Sequence, residues 1–239
     1  MPSPPSSPDA PVDDREAAGD LVWGIVVAGG LGRRFGAAKQ FQSLGGKPVH
    51  VWSLEAMRSV ANGVVLVVPP GREADPQLAS VADRVVAGGE TRAESVRAGL
   101  AAVPAGADIV VVHDAVRPMA SGALFRKVVG AVQAGAVAAI PGVAVSDTIK
   151  RVEAGVVRCT IDRASLVRVQ TPQAFVAAIL RQAHAGQHEA TDDSALVEAL
   201  GLDVMVVPGE DDNIKITSPS DLALLDWRLA SSSPVRSVP

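Results

Sequence analysis

The residues best suited to chemistry come early. Val27–Gln40 reads VAGGLGRRFGAAKQ, an exit from an apolar run through a glycine-rich turn, two arginines and a lysine. Gly29, Gly30 and Gly32 let backbone N–H groups approach an anion with no Cβ between, and Arg33, Arg34 and Lys39 neutralise it. That combination suits a polyphosphate. It is not a P-loop, because no Gly-Lys-Ser/Thr closes it, and GG-x-G followed by two arginines departs from the dinucleotide fingerprint. The bland alternative is a glycine-rich strand–helix connection with solvated cations.

Further along, the apolar run Ile109–Val112 ends in His113-Asp114-Ala115-Val116-Arg117-Pro118. An aspartate leaving a buried strand suits Mg²⁺, which takes one or two carboxylates and completes its shell with phosphate oxygens. A turn or helix-capping aspartate is the other reading of Asp114. Arg117 can hold a second phosphate bidentately, and His113 reads as a packed, hydrogen-bonded side chain. Gly88-Gly89-Glu90-Thr91-Arg92 either admits a flat base or sugar against its backbone or forms an ordinary loop and cap. Lys215, within DDNIKIT, either charges a phosphate or lies solvated. Weaker signals are Asp147-Thr148, Asp162-Arg163, Thr171-Pro172-Gln173 and Thr191-Asp192-Asp193. No serine–histidine–acid order or zinc-type spacing emerges, and His50, His184 and His188 read as solvent-facing. The chemistry implied is electrostatic, with cations and Mg²⁺ around phosphates and no covalent nucleophile.

Elements must position these groups. The runs Leu21–Val27, Val64–Val68, Arg84–Val86, Ile109–Val112, Val137–Ile140 and Val204–Val207 are nearly continuous in apolar residues. They read as strands of a parallel sheet covered on both faces. Thr91-Arg92-Ala93-Glu94 predicts a capping box opening a helix to about Val103. Ser121 caps a helix to Gln133, and Ser218-Pro219-Ser220-Asp221 starts another to about Leu229. The alternation predicts a doubly wound α/β sandwich with ligands at the carboxyl ends of its strands. Val143–Val169 breaks the alternation and predicts a β-arm packing on another subunit.

Composition sets the bounds. The 239 residues, 48% hydrophobic, support a sizeable core. One cysteine excludes an internal disulfide framework and points to a reducing compartment. A net charge of −4 argues against broad nucleic-acid binding, and no apolar run is long enough for a bilayer. Residues 1–19 and 231–239 read as tails around one domain at 20–230, and the N-terminus has no secretory core.

Seven motifs occur in order between Val22 and Leu229: AGGLGRRFG…KQ, GGETRAESV, VHDAVRP, SDTIKR, QTPQ, TDDSAL and DNIKIT. With them the chain resembles the 2-C-methyl-D-erythritol 4-phosphate cytidylyltransferase family. The resemblance implies a Rossmann-like, mostly parallel sheet of the nucleotide-diphospho-sugar transferase type, with a dimerising β-arm at 143–169. It implies CTP, Mg²⁺ and methylerythritol phosphate as ligands of a cytoplasmic homodimer, with no nucleic acid or membrane. The substrate's phosphate would attack the α-phosphate of CTP and expel pyrophosphate. By motif, Ala28, Gly29, Gly30 and Gly32 would cradle the triphosphate, while Arg34, Lys39 and Lys215 would stabilise charge on the reacting phosphates. Gly89, Glu90 and Ser95 would read cytosine, with Arg92 supporting their loop. Asp114 would hold the metal and help organise the α-phosphate. Arg117, Thr148, Arg163, Thr171 and Thr191 would hold methylerythritol phosphate, some across the dimer.

The family's usual Ala-Ala-Gly is Ala28-Gly29-Gly30 here, its usual proline before the lysine is Ala38, and Val116 stands where alanine is common. At this length we expect no fused cyclodiphosphate synthase domain. The alternatives are a ribitol 5-phosphate cytidylyltransferase of the same fold and a nucleotide-binding regulatory subunit without turnover.

Overall fold

The structure is a computed structural model, and it describes residues 19–30, 38–186 and 190–232. Gly32, Arg33, Arg34 and His188 lie outside the described residues, as do most of the two expected tails. In chain order come β1 (Val22–Val27), the short β2 (Ser43–Leu44) and β3 (Lys47–Pro48), and α1 (Val49–Met57). Next are β4 (Gly63–Val68), α2 (Pro76–Ala79), β5 (Arg84–Ala87), α3 (Arg92–Ala102), β6 (Ile109–Asp114) and α4 (Gly122–Gln133). Then follow β7 (Ala138–Ala144), β8 (Ile149–Glu153), β9 (Val156–Ile161), β10 (Val167–Val169) and β11 (Gln173–Val176). The chain closes with α5 (Ala177–Ala185), α6 (Asp193–Glu198), β12 (Met205–Pro208) and α7 (Pro219–Ser232), so α7 runs past the boundary expected at residue 230.

The β-branched runs form the expected sheet. β6, β1, β4 and β5 lie side by side in parallel, and every residue of β4 is buried. The register pairs Val27 with both Asp114 and Val67, which aligns the carboxyl ends of three strands at one edge. Alternate residues feed two cores, as a strand's period of two requires. Val26, Leu66 and Val111 pack with Leu54 and Met57 of α1 and with Leu124, Phe125 and Val128 of α4. Ile25, Val67 and Val112 pack on the other face with Val96 and Leu100 of α3 and with Leu180, Leu196 and Val197 of α5 and α6. The result is a doubly wound α/β/α sandwich.

One strand departs from the sequence reading. β11, not among the strands read from the sequence, runs antiparallel between β6 and β7, with Phe175 opposite Val110 and Ala138. β10 is also antiparallel to β7, whereas β12 is parallel to it, so the sheet is mostly but not wholly parallel.

The caps form as read. Thr91 and Glu94 make a reciprocal capping box on α3, Ser121 Oγ accepts from Leu124 N at 3.1 Å, and Asp221 and Ser218 cap α7 reciprocally. Each satisfies N–H groups that a helix start leaves unpaired.

Within 143–169 the protruding part is the β8–β9 hairpin, a separate two-stranded sheet. Its turn residues Ala154 (φ 50°) and Gly155 (φ 79°) both adopt left-handed conformations, as a two-residue hairpin of this hand demands. A 3₁₀ turn at Arg163–Ser165 follows before β10 returns to the main sheet.

Candidate active site

The carboxyl edge of the parallel strands opens onto a cleft of about 890 Å³. One wall is the glycine turn after β1. Ala28 N donates to Val67 O at 2.7 Å, fixing the chain as it leaves the sheet. Buried Gln40 then donates through Nε2 to the carbonyls of Ala28 (2.6 Å) and Gly30 (2.9 Å). These bonds tie the Lys39–Phe41 3₁₀ turn, and so Lys39, to the rim of the glycine turn. His50 Nδ1 lies 3.0 Å from Gln40 O, which extends the tie to α1.

The second wall is the loop from Gly88 to Arg92. A Cβ on Gly88 would come within 2.7 Å of Ser95 Oγ, so the loop lies this close to α3 only because the residue is glycine. Glu94 Oε2 accepts from Thr91 N at 3.1 Å and also from Glu90 N at 2.6 Å. The capping box therefore shapes the loop as well as starting the helix. Ser95 Oγ donates to Thr91 O at 3.0 Å.

The third wall carries the charges. Asp114, the last residue of β6, is buried and held between two cations. Arg92 Nε lies 3.1 Å from its Oδ1, and Lys215 Nζ 2.8 Å from its Oδ2. Burial alone would raise the carboxyl's pKa, but Arg92 and Lys215 outweigh it and hold Asp114 far below the ordinary carboxylate range. Burial likewise opposes the charge of Arg92, yet the carboxylates of Asp114 and Asp193 keep that guanidinium firmly protonated.

Behind Asp114, Thr171 Oγ1 accepts from Asp114 N at 3.0 Å and lies 3.0 Å from His113 Nδ1. His113 is fully buried, and desolvation pushes its pKa down to about 4. It is therefore neutral, with Nδ1 accepting from Thr171 and Nε2–H donating to Arg117 O at 3.2 Å. Lys215 is placed by a polar staple. Gln170 Nε2 donates to Glu210 O at 2.7 Å, and Asn213 Nδ2 donates to Thr171 O at 2.9 Å.

Ala28, Gly29, Gly30 and Lys39 thus face Gly89, Glu90, Arg92 and Ser95 across one cleft, with Asp114 and Lys215 at its base. The substrate-side residues are more dispersed. Thr171 stands directly behind Asp114, and Arg117 donates through Nη1 to Asn213 O at 2.8 Å. Thr148 and Arg163 are exposed on the arm segment, where Arg163 donates to Ser146 O. Thr191 is exposed just before α6.

Two expectations are corrected. His50 and His184 are buried, at 4% and 5% exposure, rather than solvent-facing, because each lies on the buried face of its own helix, α1 or α5, and meets a polar partner there. The sequence reading gave no role to Gln40, Gln170, Asn213 or His184. Their partners are mostly backbone carbonyls or groups distant in the chain, which leave no spacing to read.

Among the described residues no cluster of three or more His, Cys, Asp or Glu could cage a metal. At the base of the cleft the anionic donor is the Asp114 carboxylate, and this fits a cation that takes its remaining oxygens from bound phosphates. Among the described residues no helix is long and apolar enough to cross a membrane.

Fold and cleft together define a doubly wound α/β protein with a cleft lined by glycines and charged side chains at the carboxyl edge of its sheet. The chain belongs to the 2-C-methyl-D-erythritol 4-phosphate cytidylyltransferase family, whose model matches residues 22–231. It is 46% identical over 233 residues to the bifunctional enzyme IspD/IspF of Anaeromyxobacter dehalogenans, covering 89% of this chain and 59% of that protein. It is 42% identical over 228 residues to the 2-C-methyl-D-erythritol 4-phosphate cytidylyltransferase of Nocardia farcinica, covering 91% and 97%. The crystal structure of the Thermus thermophilus cytidylyltransferase superposes with a TM-score of 0.74 at 36% identity, covering 86% and 98%. The chain spans less than two thirds of the bifunctional relatives' length.

Proposed function

We propose that the chain transfers CMP from CTP to 2-C-methyl-D-erythritol 4-phosphate, giving 4-(cytidine 5'-diphospho)-2-C-methyl-D-erythritol and pyrophosphate. The observation that carries this reading is Asp114 gripped by Arg92 and Lys215 opposite the glycine turn and Lys39. Two phosphates can meet only if their repulsion is cancelled and their approach is fixed in line. Lys39, Lys215 and Arg34 supply positive charge in this reading, with Lys39 facing the leaving pyrophosphate and Lys215 the attacked α-phosphate. Backbone N–H groups of the glycine turn receive the triphosphate. Gly89, Glu90 and Ser95 receive the cytosine, on a loop that Glu94 holds in shape. Mg²⁺ would be held by Asp114 and phosphate oxygens and would neutralise part of the polyphosphate charge.

Methylerythritol phosphate is assigned to Thr171 and Arg117 on one side, with Thr191, Thr148 and Arg163 completing the pocket in a homodimer. The exposed arm valines support that assembly, since a hairpin with an apolar face is marginal in water by itself. A cytoplasmic location agrees with the lone exposed Cys159.

The test is pyrophosphate release with CTP and Mg²⁺, run in parallel with methylerythritol 4-phosphate and ribitol 5-phosphate. Turnover with methylerythritol phosphate alone is expected. Turnover with ribitol phosphate alone would overturn the substrate, and silence with both from folded protein would overturn the transfer.

A further inference from the structure

Asp193, in the first turn of α6, is 1% exposed, and its carboxylate has two partners. Arg92 Nη1 donates to Oδ2 at 2.8 Å. His184 Nε2 lies 3.0 Å from Oδ1 and must be the donor, because an ionised carboxylate only accepts. His184 Nδ1 is buried without a partner, so the contact of Nε2 with Asp193 is the polar contact that orients the ring. A continuous chain of contacts therefore runs from His184 through Asp193, Arg92 and Asp114 to Lys215, drawing α5, α6, α3, β6 and the last loop to one point.

The way Arg92 is engaged matters. It meets Asp114 through Nε alone, while Nη2, on the same edge of the guanidinium as Nε, is buried and has no partner. An arginine with that edge against a carboxylate ordinarily closes a two-point fork. Here the pull of Asp193 on Nη1 keeps the fork open, and Asp114 Oδ2 is left to Lys215. Without the Asp193 charge, Arg92 would turn fully onto Asp114 and compete with Lys215 for that oxygen.

We propose that Asp193, backed by His184, is a positioning residue for the transfer, holding Arg92 to one oxygen of Asp114 so that the other orients Lys215. The role rests on the transfer proposed above, and it reaches the reacting phosphates only through Arg92 and Asp114.

Asp193→Asn is nearly isosteric and can keep both hydrogen bonds through a change of histidine tautomer, so it removes mainly the charge. Steady-state turnover is measured for the wild type, D193N, Arg92→Lys and the double variant, with unfolding followed for each. D193N is expected to lower kcat by about tenfold while the KM for CTP changes by less than about threefold, and to add less than about twofold in the R92K background, because coupled neighbours act non-additively. A lysine cannot bridge both carboxylates, so in that background there is little left for Asp193 to position. A folded D193N with wild-type kcat, or a full additive loss on R92K, would overturn the role while leaving the transfer intact. Silence from the wild type would overturn both. Should D193N fail to fold, His184→Leu, which removes the donor to Asp193 at similar volume, carries the same test. It is expected to lower kcat with KM held, and wild-type kcat in that variant would overturn the role.

Discussion

Lys215 Nζ lies 2.8 Å from Asp114 Oδ2, joining the end of a central strand to a loop that arrives only after the last strand of the sheet. Asp114 is fixed by the sheet and by Thr171, whereas Lys215, 42% exposed, depends on Gln170 and Asn213 to hold its loop in place. The aspartate thus gives a flexible cation a defined direction at the mouth of the cleft. It stays anionic because Arg92 and Lys215 more than offset its burial.

Lys39 sits at the start of a short 3₁₀ turn that Gln40 ties to the glycine loop. Lys39→Ala is expected to fold normally and to lose roughly 2–4 kcal/mol of transition-state stabilisation, mainly in kcat, as for other charge-stabilising groups in dry sites. Steady-state kinetics alongside circular dichroism checks this, and near-normal kcat in folded protein would remove the leaving-group role.

Gln40→Ala deletes the amide that donates to the buried carbonyl of Ala28 and to the partly buried carbonyl of Gly30. Stability should fall by about 1–3 kcal/mol, the range for leaving buried polar groups unsatisfied. CTP affinity should fall with it, because the glycine turn loses its clamp. Urea unfolding and calorimetric titration read the two effects.

His113 gives stability a defined pH dependence. Its pKa is pushed down to about 4 in the folded protein from an ordinary value of 6.5, so between those values only the unfolded chain takes up the proton. Its contribution is complete above pH 6.5 and is lost as pH falls toward 4. Full loss amounts to about 3 kcal/mol, taking about 1.4 kcal/mol per pKa unit. Asp114, also depressed, adds a loss of the same sign at lower pH, below its ordinary value of 3.8. Denaturant unfolding at pH 7.5, 6 and 5 should show the slope in the wild type, and His113→Gln should flatten it.

The arm offers a separate check on assembly. Val156 and Val157 are 54% and 56% exposed in the single chain. Val157→Asp should convert a dimer to monomers in sedimentation without lowering the melting temperature of the domain, because β8 and β9 pair only with each other. A wild type already monomeric at micromolar concentration would remove the dimer from the account.

Much of this fold was legible because buried parallel strands demand β-branched runs and helix starts demand Ser, Thr or Asp caps. β11 was not, since Gln-Ala-Phe-Val begins with a polar residue and runs into α5 with no turn residue between. Gln173 is nonetheless buried there, with its amide 2.9 Å from Asp192. Of the cleft lining, Gly29, Gly30, Lys39, Asp114 and Lys215 could be named as candidates because glycines at a strand exit and charged residues near strand ends stand out in the sequence. The supporting groups could not. Gln40 bonds backbone carbonyls, and His184 takes its meaning from Asp193, which only the packing of α5 against α6 brings near.

The central claim is that Lys215, oriented by Asp114, acts on the transferring phosphate. Single-turnover transfer of labelled CMP from saturating CTP to methylerythritol phosphate tests it most directly, comparing the wild type with Lys215→Ala. The account predicts a chemical step slower by about 100-fold or more, in line with loss of one preorganised charge, with CTP affinity changed little. An unchanged single-turnover rate in folded K215A would contradict it.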